Sequence, residues 1–388
     1  MVDRRVPYVL AACTGVSILS TDLIAPSIPD LPAAFDTDIQ TAQSVVAVNL
    51  LAYAVAQLVH GPVAEAFGRR GLLVVALSLF SGVSLLCTFS PTIQALLVGR
   101  FAQGLLSSVP SVVVVLIIRE LYAPARAMQV MALYGFTIGA APALGPLIGG
   151  YLHVWIGWQA GFVLTALLAA LAAVAVAALV PESLATRRPL ALRGVIGSYR
   201  ALLLRPLFLR QALSLGLAFG SYFAWVTTAP VIFRESFGLP PERFGYAALL
   251  VVGAYMVGSG VAARLGPRLG PARLYRGSLI LLTGALLALA AITFVLPPQL
   301  PLMLGLMSVY GFCFAGVMAA GPLVALDAAS GLAQGPASAL IGACQLGAAA
   351  LAGFLSGGFY AGGVASMTVT MAGLAVLALL SAARFPRE

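Results

Sequence analysis

Lysine is missing from this chain; all 21 basic residues are arginine. A nucleotide-binding loop of the Gly-x-x-x-x-Gly-Lys type needs lysine to reach the phosphates, and Schiff-base catalysis needs it as the nucleophile. Both are excluded. Histidine is nearly as scarce. His60 and His153 are the two present, one in each of two separate segments, which argues against a histidine metal site. The four cysteines (Cys13, Cys87, Cys313, Cys344) fall singly within apolar stretches, where free cysteine packs as a small hydrophobe. Charge of any kind is rare: 9% of residues, against 61% hydrophobic, where a soluble domain carries about 25% charged residues. The net charge of +9 would suit nucleic acid, but aromatic and basic residues do not interleave in any exposed domain. Arginine here is better explained by membrane topology. The chain is read as an all-α integral membrane protein with no metal and no cofactor.

What is present are long apolar runs. A spanning helix needs about 20 mainly apolar residues. Twelve segments qualify, near 6–28, 42–64, 71–90, 94–118, 128–152, 156–180, 209–233, 244–265, 274–296, 301–326, 336–358 and 362–383. The one long polar connection, Pro181 to about Phe208, holds Arg187, Arg188, Arg193, Arg200 and Arg205. It divides the chain into a six-helix bundle over 1–183, a linker over 184–208 and a second six-helix bundle over 209–388. Met1–Pro7 leads into a long span without a small-residue cleavage site, so the first helix is read as uncleaved.

Cytoplasmic loops collect arginine. With the N-terminus inside, 18 arginines lie on the cytoplasmic side, Arg234 and Arg243 lie outside, and Arg100 lies within the membrane. The first external loop is acidic (Asp30, Asp36, Asp38). Both termini are therefore expected in the cytoplasm. The loop Gly61-Pro-Val-Ala-Glu65-Ala-Phe-Gly68-Arg69-Arg70 is echoed by Gly260-Val-Ala-Ala-Arg264-Leu-Gly266-Pro-Arg268. Two related halves joined by a basic linker are how many secondary transporters are built, with the substrate site between them.

Asp22 and Arg100 carry the chemistry, since charge at membrane depth costs roughly 2.5–3.5 kcal/mol on insertion scales and marks a functional site. At 1.5 Å per residue, Asp22 lies about 24 Å along the outward-running first helix. Arg100, in the inward-running fourth, lies about 9 Å below the outer surface. Both fall in the outer third of a core about 30 Å thick, as does Asn49, so Asp22 and Arg100 are expected to approach each other, directly or through water. Removing water favours a neutral carboxyl, and a nearby cation favours the charged form. An acid whose surroundings differ between two states can thus take a proton on one side and release it on the other. The alternative is a permanent ion pair locking the first helix to the fourth.

Polar stripes run down two helices: Asn49, Tyr53 and Gln57 on the second, and Arg100, Gln103, Ser107 and Ser111 on the fourth. They serve either as glue between helices or as cavity lining. Tyr222, Trp225, Tyr255, Tyr310 and Phe314 could line an aromatic substrate cavity, although packing or lipid contact explains each alone. Arg69 and Arg70 could be plain positive-inside anchors, but the tight Gly61-x-x-x-Glu65-x-x-Gly68-Arg69-Arg70 spacing argues for a cytoplasmic gate, in which Glu65 can pair with Arg126 or a neighbouring helix N-terminus. Gly145-Pro146 and Gly149-Gly150 permit close packing and a kink, and thus a hinge. Asp327 is expected to be structural, capping the eleventh helix.

These motifs resemble the major facilitator superfamily over essentially the whole chain. Gly61…Glu65…Gly68-Arg69-Arg70 is similar to its loop 2–3 motif, with Glu65 where aspartate is usual. Leu96-Leu-Val-Gly-Arg100-Phe-Ala-Gln103-Gly104 resembles the fourth-helix motif of drug:proton antiporters. Ala141-Pro-Ala-Leu-Gly145-Pro146-Leu-Ile-Gly149-Gly150 resembles the fifth-helix antiporter motif. Ser20-Thr-Asp22-Leu-Ile-Ala-Pro26-Ser-Ile-Pro29-Asp30-Leu31, Thr228-Ala-Pro230-Val-Ile-Phe233 and Gly335-Pro-Ala-Ser-Ala-Leu340 look like the Bcr/CflA drug-resistance subfamily. The resemblance implies the major facilitator fold, two six-helix bundles around a central cavity, and alternating-access export of small antibiotics against proton entry. Related antiporters carry a second acid about two turns before the Asp22 position. Thr14 stands there, leaving Asp22 as the principal proton carrier, modulated by Arg100.

The implied setting is a bacterial inner membrane, with lipid, protons and a small-molecule substrate as partners and a monomer as the working unit. Export of a sugar, amino acid or siderophore by the same mechanism remains open. A channel would be expected to show a polar pore ring and a receptor a substantial extramembrane module, neither of which is evident. No acid–base or metal cluster suggests an enzyme.

Overall fold

The computed structural model describes residues 3–184, 186, 192–360 and 363–382. Arg187, Arg188, Arg384, Arg387 and the Arg193 side chain lie outside the described residues. Among the described residues, twelve helical segments are long and apolar enough to span a bilayer, the first of them, Val6–Phe35, led by α1 (Val6–Asp22), and no strand occurs. The helices that follow are α2 Ile39–Phe67, α3 Arg69–Thr88, α4 Ile93–Leu121, α5 Pro124–Trp155, α6 Gln159–Leu179, α7 Pro206–Glu235, α8 Pro241–Leu269, α9 Pro271–Val295, α10 Leu300–Ala328, α11 Gln334–Gly358 and α12 Val364–Ala382. They form two six-helix bundles about a central cavity, the arrangement expected from the span count.

Local chemistry accounts for the departures from that count. The first span does not run on as one helix to residue 28. α1 stops at Asp22, a 3-10 turn covers Ala25–Asp30, and a short helix follows over Leu31–Phe35. Pro26, Pro29 and Pro32 each lack an amide donor, so the i→i−4 ladder cannot continue through them. The linker, read as an irregular polar connection, contains a helix over Leu192–Leu203. The repeat is also clearer in backbone than in sequence. Gly68, at φ 94°, ends α2 and starts α3, while Gly270, at φ 78°, ends α8 and starts α9. Glycine takes such positive φ without a side-chain penalty. The counterpart of Gly68 is therefore Gly270, and the echo at Gly266 lies four residues early.

Small residues set how closely the helices approach, since packing in lipid relies on van der Waals contact between near backbones. Gly104 of α4 lies against the Asn49 carbonyl of α2, and Gly149 of α5 against the Leu23 carbonyl. Across the bundles, Gly353 of α11 faces Ala47 of α2, and Gly245 of α8 faces Leu147 of α5. These two contacts lie toward the loop 1 end, and α11 stays against α2 farther along, where Gly342 meets the Gln57 side chain. Toward the linker end, Gly135 and Gly139 of α5 and Ser259 of α8 instead line opposite walls of the cavity. The bundles are closed at one end and spread at the other.

Asp38 caps α2, its carboxylate accepting from the Thr41 amide at 2.8 Å. That bond holds the exposed carboxyl below the usual carboxylate range. The contribution is therefore present at neutral pH and fades as pH falls through the lowered value. Asp38→Ala is expected to cost about 0.5–1 kcal/mol, the low end for an N-cap, read as a small drop in melting temperature at pH 7 that vanishes in strong acid.

Candidate transport site

Arg100 organises the first bundle from within. It is fully buried on α4, where a charged group must find partners. Its Nε donates to the Val45 carbonyl at 3.0 Å, and its Nη1 donates to Gln103 Oε1 at 2.9 Å and the Ser20 carbonyl at 3.4 Å. The guanidinium lies 6.0 Å from the Phe162 ring centroid. Asn49 Nδ2 donates to the Arg100 carbonyl at 3.0 Å, and Thr21 Oγ1 donates to Asn49 Oδ1 at 3.2 Å. Gln103 Nε2 completes the network by donating to Ser84 Oγ at 2.6 Å. Arg100 thus binds α1, α2 and α4 largely through main-chain carbonyls. Asn49 and Gln103 serve as glue between helices.

Asp22 is the last residue of α1 and is 4% exposed. Its small exposed surface faces the cavity. Gly145 of α5 packs directly on the Asp22 Cβ, and one turn later Gly149 meets the Leu23 carbonyl. The α5 glycines thereby fix where the carboxyl sits. Asp22 and Arg100 are near enough for their charges to act on one another, but no ion pair within 4 Å joins them among the described residues. The Nε and Nη1 of the guanidinium go to carbonyls instead, while its buried Nη2 has no hydrogen-bond partner among the described residues.

The cavity holds about 550 Å3 and is walled by both bundles. The first supplies Thr14, Asp22, Tyr53, Gln57, Ser111 and Tyr134; the second supplies Tyr222, Tyr255, Phe314, Met318 and Gln345. Phe314 is the centre of an aromatic wall. It stacks on Tyr222 with centroids 5.5 Å apart and planes 18° apart, and Tyr255 lies 6.0 Å away. Offset stacking of this kind gives a flat apolar face. A mostly apolar chamber with a few convergent polar groups is the usual form of a small-molecule site.

Five of the nine residues proposed for the cavity line it: Tyr53, Gln57, Tyr222, Tyr255 and Phe314. Four do not. Asn49 and Gln103 are taken up by the Arg100 network. Tyr310 stands one layer behind, stacked on Phe314 with its hydroxyl 2.8 Å from Ser221 Oγ. Trp225 packs against Phe233 and Phe244 in a narrow crevice beside the chamber. Helical spacing does not distinguish the ring facing the chamber from the one supporting it. Tyr134, Met318 and Gln345 escaped the sequence reading because each looks like ordinary span filling.

At the linker end the arginines of the loop 2–3 motif find their partners in and beside Glu120 and Glu182. Arg69 pairs with Glu120 at 3.1 Å. Glu182 caps α3 by accepting from the Arg69 amide at 2.9 Å and the Arg70 amide at 3.3 Å, a favourable place for an anion. Arg70 donates to the Ala177 carbonyl. Glu65 is exposed, and Arg126 donates to Gln129 at 2.7 Å, so Glu65 and Arg126 are not paired. The carboxylates of Glu120 and Glu182 take the arginine and the helix terminus. Gly61 lies within the last turns of α2 with open space about it, and Gly68 is the residue at the turn. Likewise, α5 runs unbroken through Pro142, Gly145 and Pro146 to Gly150, its glycines serving as contact points. Asp327 does not cap α11, whose N-cap has no side-chain bond; it lines a separate pocket.

The closed end carries a latch that the sequence reading missed. Asp30 bonds His153 Nε2 at 2.6 Å within its own bundle and pairs with Arg234 of α7 across the divide. Tyr151 and Tyr246 join hydroxyls at 2.7 Å, and Tyr360 donates to Glu235 beside them. Arg234 was the signal available, one of the two arginines that the expected topology places outside. Arg234→Ala is expected to loosen this end. A cysteine introduced at Tyr246 should be labelled roughly two- to fivefold faster by a water-soluble maleimide, as losing a part-exposed pair of about 0.5–1 kcal/mol implies.

Comparison with known proteins bears on family and fold. The chain is 27% identical over 260 residues to the multidrug resistance protein MdtM of Salmonella typhimurium, covering 67% of this chain and 63% of that protein. It therefore spans about 63% of the length of that relative. It is 26% identical over 370 residues to a bicyclomycin resistance protein homolog of Haemophilus influenzae, covering 93% and 90%. In fold it is similar to a D-xylose-proton symporter, with TM-score 0.74, 18% identity and 98% of each chain covered. The Major Facilitator Superfamily profile matches residues 10–294, and with twelve spans in two bundles the chain belongs to that superfamily of multi-pass membrane transporters.

Proposed function

We propose that this protein is a proton-coupled antiporter that exports small drug-like or antibiotic molecules by alternating access. The observation that carries the reading is the position of Asp22: a lone buried acid on the wall of a chamber shared by both bundles, with Arg100 held just behind it. Asp22 is the proton carrier. Arg100 modulates it by its charge and by tying α1 to α2 and α4, so that any rearrangement of the bundle changes the surroundings of the carboxyl. Tyr222, Tyr255 and Phe314 offer a flat apolar face to the substrate, while Tyr53, Gln57 and Gln345 offer hydrogen bonds. The efflux relatives and the proton symporter support the same reading by family and fold.

The proposed setting is a bacterial inner membrane with both termini cytoplasmic, which makes the spread end the cytoplasmic one. The bundles are taken as 1–183 and 209–388, joined by 184–208, and one copy acts alone. Bundle rocking would swing the Gly61–Arg70 segment and Arg126, both of the first bundle, against the second bundle and close that end, while the Asp30–Arg234 latch parts. The test is transport in proteoliposomes under an imposed pH gradient with a panel of antibiotics. Gradient-dependent accumulation of at least one compound, collapsed by a protonophore, is expected. Accumulation indifferent to the gradient for every compound tried would refute the reading.

A further inference from the structure

We propose that a second pocket, at the linker end of the second bundle, binds the headgroup of a zwitterionic phospholipid: a phosphodiester with an ammonium group beside it. The pocket holds about 750 Å3 between the start of α7, the α8–α9 turn and the end of α10. That is ample for a small ligand, and it shares no residue with the central chamber.

Its lining is matched to phosphate. Arg205 and Arg273 both face it. Arg205 is held by an Nη1 bond to the Ser330 carbonyl at 3.1 Å, which leaves the rest of its fork for a second acceptor. α9 begins here, with Gly270 as its N-cap, Pro271 in its first turn and no side chain capping it. The first-turn amides and the positive end of the helix dipole are therefore turned toward this end. Gln211 is the independent sign of a ligand. Its side chain is 3% exposed, yet its Oε1 has no hydrogen-bond partner, a costly state for a buried polar atom.

Asp327 stands on the same wall and decides the class of ligand. A purely anionic headgroup would meet that carboxylate; a headgroup with a positive nitrogen next to its phosphate would pair with it. The Gln211 carbonyl oxygen is a further acceptor for ammonium hydrogens. Leu269 and Leu323, both exposed beside the pocket, offer apolar surface for acyl chains, which favours a lipid over a soluble phosphate. The site requires neither proton coupling nor drug transport, so it stands or falls separately from them.

Native mass spectrometry of the full-length protein, offered equimolar phosphatidylethanolamine and phosphatidylglycerol in detergent, tests this. Phosphatidylethanolamine is expected to be retained about five- to tenfold in preference, the worth of roughly one charge-assisted contact. Arg205→Ala should cut retention of both lipids several-fold, and Asp327→Asn should shift the preference toward phosphatidylglycerol. Glycerophosphoethanolamine, which has the headgroup without chains, should fail to displace the lipid at equal concentration. Unchanged retention in a folded Arg205→Ala protein would overturn the site. Unchanged preference in Asp327→Asn would overturn the ligand class, and equal displacement by the soluble headgroup would overturn the lipid source.

Discussion

Asp22→Asn is expected to reduce gradient-driven drug accumulation in proteoliposomes to the level of protein-free vesicles while leaving the protein folded. The amide matches the carboxyl in size, so the contact with Gly145 survives, and no ion pair is lost because none is made. Drug binding measured without a gradient should persist, since the aromatic wall is untouched. Arg100→Ala should behave differently. It leaves the Val45 and Ser20 carbonyls and Gln103 without their donor and opens a void, at a cost of about 2–4 kcal/mol. It should lower the melting temperature as well as transport. Arg100→Lys keeps the charge but cannot reproduce the fork, and should recover part of the coupling at reduced stability. If Asp22→Asn still builds a proton-driven gradient, Asp22 is a structural residue.

The second large effect is expected at Gly149. A Cβ there would run into the Leu23 carbonyl, with the Leu23 Cα at 3.0 Å. Main chain cannot rotate away as a side chain can. Gly149→Val should cost about 1–3 kcal/mol in melting stability. Because Leu23 follows Asp22 directly, it should also move the carboxyl and weaken coupling more than binding. Gly139→Ala is the control, with open space around it, and should melt as wild type does. A hinge role for the α5 glycines would show the reverse: Gly149→Ala folded and stable, with slowed exchange between inward and outward states.

The architecture was readable in the sequence because bilayer thickness leaves little choice. Twelve runs of about 20 apolar residues became twelve helices, with proline explaining the early end of α1. The two membrane-depth charges were also legible, since cost singles them out. What escaped was whatever depends on facing. Tyr310 and Phe314 are one turn apart on the same helix, yet one supports and the other lines the chamber. Asn49 and Tyr53 show the same split. Long-range partners were equally hidden. Glu120 and Glu182 reach Arg69 from 51 and 113 residues away, and Asp30 meets Arg234 across 204. A polar residue declares its need for a partner in the sequence, without naming it.

The segment joining the bundles is fastened at several points. Glu182 and Ser183 bind the α3 start and Glu120, the Tyr199 hydroxyl donates to the Leu58 carbonyl at 2.8 Å, and Arg205 holds the Ser330 carbonyl. A connector stitched to both moving parts acts as a travel stop instead of a slack rope. Lengthening it between the stitches with glycine and serine, or cutting the Tyr199 stitch, should therefore let the halves swing wider.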